Sequence, residues 1–209
     1  MIRVLKMNVL YAFGLLFLVV LVGLAIWTVI PKFLETPEYN VELSDKNFEL
    51  RWYQSFIKTK VYTEGSQNQA LRSGFRPLVR FIGAKERSSE KISMTVPVMQ
   101  EQTQTDGKWA VSFSMPSKYS LDVIPKPASS NLKHELVPKK LMAVIQFSGR
   151  ATEGLLRTKE TELRNWLRDS NYKIIGFAHY YFYNDPITPG ILRKNEVLFE
   201  VEQMVHKKR

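Results

Sequence analysis

Two kinds of hydrophobic pattern follow one another along this chain. Residues 8–30 form one apolar run of 23 residues without a charged side chain. From residue 48 onward, short segments alternate apolar and polar positions, and two longer stretches carry apolar residues at helical spacing. About 20 apolar residues cross a bilayer as a helix, whereas period-two alternation is typical of strands with one buried face. The pattern therefore predicts one transmembrane helix over 8–30, ended by Pro31, and a separate folded domain.

Charges around the apolar run predict its orientation. Arg3 and Lys6 lie before it, whereas residues 32–46 hold more acidic than basic side chains. The positive-inside rule then places residues 1–7 in the cytoplasm and the domain outside, which is the periplasm in a Gram-negative cell. The alternative is a cleaved signal peptide, whose apolar region is about 7–15 residues long and precedes a small-residue cleavage site. Because this run is longer and no such site follows it, we expect an uncleaved anchor.

The rest of the chain divides into three parts. Residues 31–47 are polar and lack periodicity, so we expect a linker there. Residues 48–201 carry the strand and helix patterns and form the expected domain, and residues 202–209 form a basic tail.

An internal repeat organises the domain. With a shift of 84 residues, FELRWY at 48–53 falls on LKHELV at 132–137, and Gly65 falls on Gly149. An amphipathic helix follows in each copy, and two further strand patterns follow each helix. Each copy therefore predicts the order strand, strand, helix, strand, strand (ββαββ). Two copies give an α+β domain of about eight antiparallel strands and two helices, and eight strands can close into a small barrel.

Composition excludes several kinds of chemistry. The chain has no cysteine and three histidines, which excludes disulfides, thiolate metal sites and a paired-histidine zinc motif. We find no nucleophile–base pair or nucleotide-binding loop, so we expect a protein that is not an enzyme. The net charge of +10 suggests an anionic partner. Nucleic acid is not the expected one, because the domain is predicted outside the cytoplasm and carries no recognition motif.

The aromatic segment near the carboxyl end is the strongest candidate for binding. Residues 180–183 read YYFY and run into NDPITPG at 184–190, and Arg193 and Lys194 follow. An apolar cleft edged by cations suits a flat apolar ligand that carries carboxylates, or an anionic amphiphile. The alternative is an ordinary hairpin with aromatic core residues. His179, just before this segment, is a weak candidate for a metal ligand.

Four segments resemble the SOUL family of heme-binding proteins. They are FELRWY, ALRSGFRPLVRFIGA at 70–84, KISMTVPVM at 91–99 and YNDPITPGILRKNEVLFEV at 183–201. The resemblance covers residues 48–201 and leaves the predicted anchor outside. It implies a distorted antiparallel β-barrel with two helices that binds heme or another tetrapyrrole and is not catalytic.

The resemblance also implies a site, in a shallow apolar groove beside the first helix and the Pro-rich loop. The implied cofactor-binding residues are Leu71, Phe75, Leu78, Val79 and Ile82 on the helix, Tyr183, Pro186 and Pro189 on the loop, and Arg76, Arg80 and Arg193 for the propionates.

One position departs from the family pattern. Some relatives carry a histidine, considered an iron ligand, where this chain has Trp52. An indole cannot ligate iron. We therefore expect apolar contacts and basic side chains to hold heme here, without a strong axial ligand. Two alternatives stay open: a general small-molecule or effector-binding module, and an envelope protein that binds anionic lipid surfaces.

Overall fold

The computed structural model describes residues 13–19, 23, 33–85, 90–127 and 129–204. Residues 13–19 are helical, and most of the predicted span over 8–30 lies outside the described residues, as do residues 1–7 and 205–209. Within the described part of the chain, no helix combines the length and the hydropathy needed to cross a membrane. Residues Glu35–Arg209 form a compact unit of their own, to which the description below refers.

The unit contains one antiparallel sheet and two long helices, which confirms the predicted α+β class. The strands are β1 Tyr39–Asp45, β2 Phe48–Tyr53, β3 Phe56–Glu64, β4 Val98–Gln102, β5 Lys108–Ser114, β6 Leu132–Val137, β7 Lys140–Phe147, β8 Tyr172–Phe182 and β9 Asn195–Gln203. The helices are α1 Gln67–Ile82 and α2 Glu153–Arg168, and a 3-10 turn covers Gly190–Leu192. The order across the sheet is β1-β2-β7-β9-β8-β4-β5-β3-β6.

The predicted repeat is confirmed by the order of elements. Each copy reads ββαββ, as β2-β3-α1-β4-β5 and as β6-β7-α2-β8-β9. The equivalent strands β4 and β8 pair at the centre, with Val98 opposite Phe182. The copies exchange their first strands, because β2 pairs with β7 and β6 pairs with β3. Gly65 and Gly149 occupy equivalent turns with φ of 110° and 118°, and their N–H groups donate to the carbonyls of Gly107 and Gly190.

The predicted barrel is wrong, and part of the segment expected as a linker over 31–47 is a strand. Residues 39–45 form β1, which pairs along the outer edge of β2. That edge is the one that β2 would need to close an eight-stranded barrel, so among the described residues the sheet stays open between β1 and β6. The pattern of β1 is hard to recognise because Val41 and Leu43 are 50% and 47% exposed, so the strand buries no apolar face. The basic tail begins later than expected, because β9 extends to Gln203.

Both helices lie on one face of the sheet. Val111, Gln100 and Tyr180 stand opposite one another on β5, β4 and β8, and this face carries both helix-packed cores. α1 packs on β3 and β5, and α2 packs mainly on β9, β7 and β8. Tyr53, Met142 and Leu198 belong to a third cluster, on the face away from the helices.

Both helices begin at a side-chain cap. The Ser66 hydroxyl accepts from the Gln69 N–H, and the Gln69 side chain accepts from the Ser66 N–H, which is a capping box. Thr152 caps α2 through the N–H of Leu155. Pro77 lies inside α1.

The contact between α1 and β5 yields a stability prediction. A Cβ on Gly74 would lie 2.6 Å from the Cβ of Val111. We expect Gly74→Ala to lower the free energy of unfolding by about 1–3 kcal/mol, because the helix must move away from the strand. Gly154→Ala in α2 is the matched control, since nothing lies within 4 Å of its Cβ and alanine gains up to about 1 kcal/mol in helix propensity. Chemical denaturation measures both variants, and equal stabilities would contradict this close packing.

Candidate functional site

Two stripes of side chains run along the outer side of α1, one apolar and one basic. Each stripe repeats every fourth residue, so its members lie above one another on the helix. Together they are called the α1 surface here, and they comprise Leu71, Phe75 and Val79 beside Arg72, Arg76 and Arg80. Arg72 was missed from the sequence, although its spacing of four from Arg76 is visible there.

The α1 surface is apolar, accessible and basic. Phe75 and Val79 are 37% and 36% exposed, and Leu71 is half-buried. The Phe75 ring packs edge-on against Phe113, with 5.6 Å between centroids, which holds it in place. The helix contains no Asp or Glu, so its arginines raise the local positive potential without an acidic neighbour on α1.

Two of the predicted helix residues lie in the core instead. Leu78 is fully buried and Ile82 is 7% exposed, and both pack with Val111 and Phe113 beneath the helix. They support the α1 surface from below and are not part of the accessible apolar stripe.

The Pro-rich loop between β8 and β9 uses its predicted ligand residues partly to fix its own shape. The Arg193 Nε donates to the carbonyl of Thr188 at 2.7 Å, and its guanidinium also donates to the carbonyl of Pro186. The Tyr183 hydroxyl points to the face away from the helices and donates to Glu196 at 2.7 Å. Pro186 and Pro189 are exposed.

The last turn of α1 and the Pro-rich loop lie at the same end of the sheet, but they belong to different copies of the repeat. β8 ends at Phe182, which pairs with Val98 at the start of β4. The segment before β4 is bonded to the end of α1, because the Ile92 N–H donates to the carbonyl of Ile82. The loop itself bonds to the second copy, where Gly149 donates its N–H to the carbonyl of Gly190 at 2.9 Å. The sequence did not show that the loop bonds to the turn before α2.

His179 lies on the opposite face in a hydrogen-bonded ionic cluster. Its Nδ1 is 3.0 Å from one Glu101 oxygen, and Lys58 Nζ is 2.9 Å from the other. Burial opposes the ionisation of Glu101, but His179 and Lys58 outweigh it and hold the pKa of this carboxyl well below its usual range. The described residues contain no group of three or more His, Asp or Glu side chains that could hold a metal.

This cluster lines an open cleft of about 340 Å³. Lys140 and Glu200 form a further ion pair at its wall, and the exposed rings and side chains of Phe177 and Ile175 lie at its rim. The cleft lies away from the helices, so it is distinct from the α1 surface. Because its residues come from strands of both copies, sequence spacing gave no sign of it.

A buried ion pair on the same face was also missed. Arg51 and Glu196 are both fully buried, and both terminal nitrogens of Arg51 donate to one Glu196 oxygen at 3.1 and 3.2 Å. Arg51 also bonds to Glu49 and to the Tyr53 hydroxyl. Burial and the Glu196 carboxylate raise the pKa of Tyr183 well above its usual value, so this hydroxyl stays protonated and donates.

A family model described as SOUL heme-binding protein matches residues 34–200. The chain belongs to the SOUL family. Comparison with curated proteins finds no match.

Solved structures with the same fold have little sequence in common with this SOUL protein. The C-terminal domain of EcmrR aligns with a TM-score of 0.59 at 11% identity, covering 79% of this chain and 99% of that one. A hydrolase from Listeria innocua aligns with a TM-score of 0.52 at 12% identity, covering 77% and 94%. An uncharacterized conserved protein from Listeria innocua gives 0.52 at 13% identity, covering 76% and 93%. At these identities the likeness shows the fold alone.

The Glu101 cluster predicts a pH dependence of stability in this SOUL protein. The pKa of the Glu101 carboxyl is lowered from 4.5 in the folded state. Its ionised form therefore stabilises the fold above about pH 4.5, and this contribution to the free energy of unfolding is lost as the pH falls below that value. We expect Glu101→Gln to reduce the free energy of unfolding by about 1–3 kcal/mol at neutral pH, and by less at pH ~3. Urea unfolding at both pH values measures this difference.

Glu162→Gln is the control, because Glu162 makes a more exposed ion pair with Lys159 on α2. It should change stability little at either pH. A Glu101→Gln difference of the same size at both pH values would contradict an ionised, stabilising Glu101.

Proposed function

We propose that this protein is a non-catalytic binding protein for heme or a related tetrapyrrole, and that residues 8–30 anchor it in a membrane with the domain outside the cytoplasm. The observation that carries the ligand proposal is the pairing of an exposed apolar stripe with a basic stripe on α1. Family membership supports the same ligand class.

The α1 surface suits the chemistry of a tetrapyrrole. Heme presents a flat apolar ring and carboxylate groups at one edge. In the proposed complex, Leu71, Phe75 and Val79 contact the ring, and Arg76 with its basic neighbours binds the carboxylates. Trp52 lies on β2, with Lys139 Nζ 5.4 Å from the centroid of its ring, and it supplies no iron ligand. The proposed binding is therefore by apolar contact and charge.

Hemin titration tests the site. We expect saturable binding with a shift of the Soret band, weakened about tenfold or more by Phe75→Asp, because a carboxylate replaces an apolar contact and repels the propionates. Arg76→Gln leaves the packing intact and should weaken binding about threefold.

The control for charge is Arg157→Gln, because Arg157 is an exposed arginine on α2. It removes the same charge and should leave hemin affinity unchanged. Equal losses in Arg76→Gln and Arg157→Gln would indicate a general charge effect and contradict the α1 site.

The open cleft favours a second candidate function, a general small-molecule or effector-binding module. It combines ionised side chains of both signs with the exposed ring of Phe177. If Phe177→Asp abolishes ligand binding and Phe75→Asp does not, the cleft is the site and this second function is favoured.

Membrane anchoring can be tested by extraction, and the side on which the domain lies can be tested by labelling, since the chain has no cysteine of its own. We expect the full chain to resist alkaline extraction from membranes, and Leu18→Arg with Leu21→Arg to release it, since each arginine costs about 2.5–3.5 kcal/mol at mid-bilayer. Leu136→Arg, on the exposed edge strand β6, is the matched control and should not release it. A single cysteine at Thr105 should react with an impermeant maleimide in intact cells; protection would contradict an outside domain.

A further inference from the structure

The loop between β8 and β9 holds the most exposed large apolar side chains of the domain. Ile187 and Ile191 are 78% and 83% exposed, and no other large hydrophobic among the described residues 35–204 is as exposed. Leu192 beside them is 52% exposed. These three side chains are called the loop tip here. An apolar group of this kind, held outward in water, marks a surface that meets another apolar phase.

The loop tip is fixed in this outward position by hydrogen bonds. One Asp185 oxygen accepts from the N–H groups of Ile187 and Thr188 at 2.7 and 3.0 Å. Thr188 is buried, and its carbonyl accepts from Arg193. Lys194 N–H donates to the Asn184 side chain at 2.8 Å. The exposure of the isoleucines is thus a property of a well-bonded loop, and little conformational entropy opposes their burial in a partner.

The chain enters the domain at the same end of the sheet. Glu35 forms a bridge with Thr95, and its carbonyl accepts from the Val96 N–H. These residues precede Val98, the partner of Phe182, after which the loop begins. The predicted span ends at Ile30, five residues before Glu35, and five residues reach at most about 18 Å. The predicted anchor is therefore joined through Glu35 to the end of the sheet from which the loop tip projects.

The charges around the loop tip suit a lipid surface. Arg150 is exposed, and its Cγ would lie 3.3 Å from a Cβ on Gly190, so this cation is next to the tip. Lys194 is 42% exposed, although it also pairs with Glu196. Asp185, the acidic residue within the loop, uses its oxygens for the loop itself. Apolar side chains flanked by cations are the composition of segments that insert shallowly among anionic headgroups.

We propose that the loop tip inserts into the surface of the bilayer that holds residues 8–30, so that the domain contacts the membrane at two points. This inference rests on the membrane anchoring proposed above and is independent of the tetrapyrrole. Its consequence is a fixed orientation of the domain, with the end of the sheet that carries the loop against the lipid.

Fluorescence quenching tests the contact, since every introduced cysteine is the single one in the chain. The full chain is reconstituted in vesicles of phosphatidylcholine and phosphatidylglycerol and labelled at Ile187→Cys, at Ile191→Cys or at Thr105→Cys. Thr105 is the control, because it lies in the exposed β4–β5 turn that the repeat makes equivalent to the loop, at the opposite end of the central strands. Nitroxide-bearing lipids should quench labels 187 and 191 at least about threefold more strongly than label 105.

The outcomes separate the two proposals. If the protein floats with the vesicles but labels 187 and 105 are quenched equally, the inserted loop is overturned and the anchor stands. If the protein does not float with vesicles, the anchor fails and the inference fails with it. If hemin, and not lipid, quenches labels 187 and 191, the loop tip belongs to the ligand site and the inference is overturned. The double variant Ile187→Ser with Ile191→Ser supports the inserted loop if two results are found together. Its hemin affinity is unchanged, and a label at Leu192→Cys in this variant is no longer quenched by lipid.

Discussion

The fold depends on the buried ion pair of Arg51 and Glu196. Strand β2 leaves its own copy of the repeat to pair with β7, and its side chains must then be held by the other copy. Arg51 on β2 links strands on both sides. Its guanidinium donates to Glu196 on β9, beyond β7, and its Cζ lies 4.3 Å from the centroid of the Tyr39 ring on β1. Neither charge is exposed, so removing either partner leaves a buried charge with one remaining ionic partner, Glu49 for Arg51 or Lys194 for Glu196, and destabilises the fold. Burial alone would lower the pKa of Arg51, but Glu196, Tyr53, Tyr39 and Glu49 together outweigh it and raise this pKa.

The two faces of the sheet differ in their chemistry, and the Arg51–Glu196 pair belongs to the face without helices. The ionic clusters of Arg51 and Glu101 and the open cleft occupy one face, and the helices cover the other. The helices have diverged although the repeat makes them equivalent. α2 pairs its charges along its own surface, as in Arg164–Glu160 and Lys159–Glu162, whereas α1 carries arginines and no acidic residue. Charges paired within α2 leave it a weaker positive potential than a helix without acidic residues, which supports the proposal that the anionic ligand binds on α1.

Much of this fold is predictable from the sequence, because its local signals agree with one another. The glycines at 65 and 149, the capping residues and the helical spacing of apolar positions fix the ββαββ order. β1 and the open edge are not predictable in this way, because an exposed strand buries no apolar face and closure depends on which strand covers the edge of β2. Arg51 and Glu196 lie 145 residues apart, and local patterns carry no information on such a pairing. Within the site, the apolar spacing of α1 does not distinguish Leu78, which faces β5, from Phe75, which lies at the margin of the core. The sheet beneath the helix sets the boundary between the core and the exposed α1 surface, and only tertiary structure shows it.

The two connections that follow the central strands, the β4–β5 turn and the β8–β9 loop, differ in sequence although the repeat makes them equivalent. The β4–β5 turn and the β8–β9 loop are equivalent by the repeat, and each accepts the N–H of a glycine that precedes a helix. The first is a short polar turn, while the second carries proline, isoleucine and basic side chains. An insertion at this position leaves the helix start unchanged, since Gly149 bonds to Gly190 as Gly65 bonds to Gly107. The loop could therefore acquire an apolar tip without disturbing the core. Because β2 pairs with β7 and β6 pairs with β3, the two copies share one continuous sheet, and the loop on the second copy and α1 on the first are attached to the same sheet.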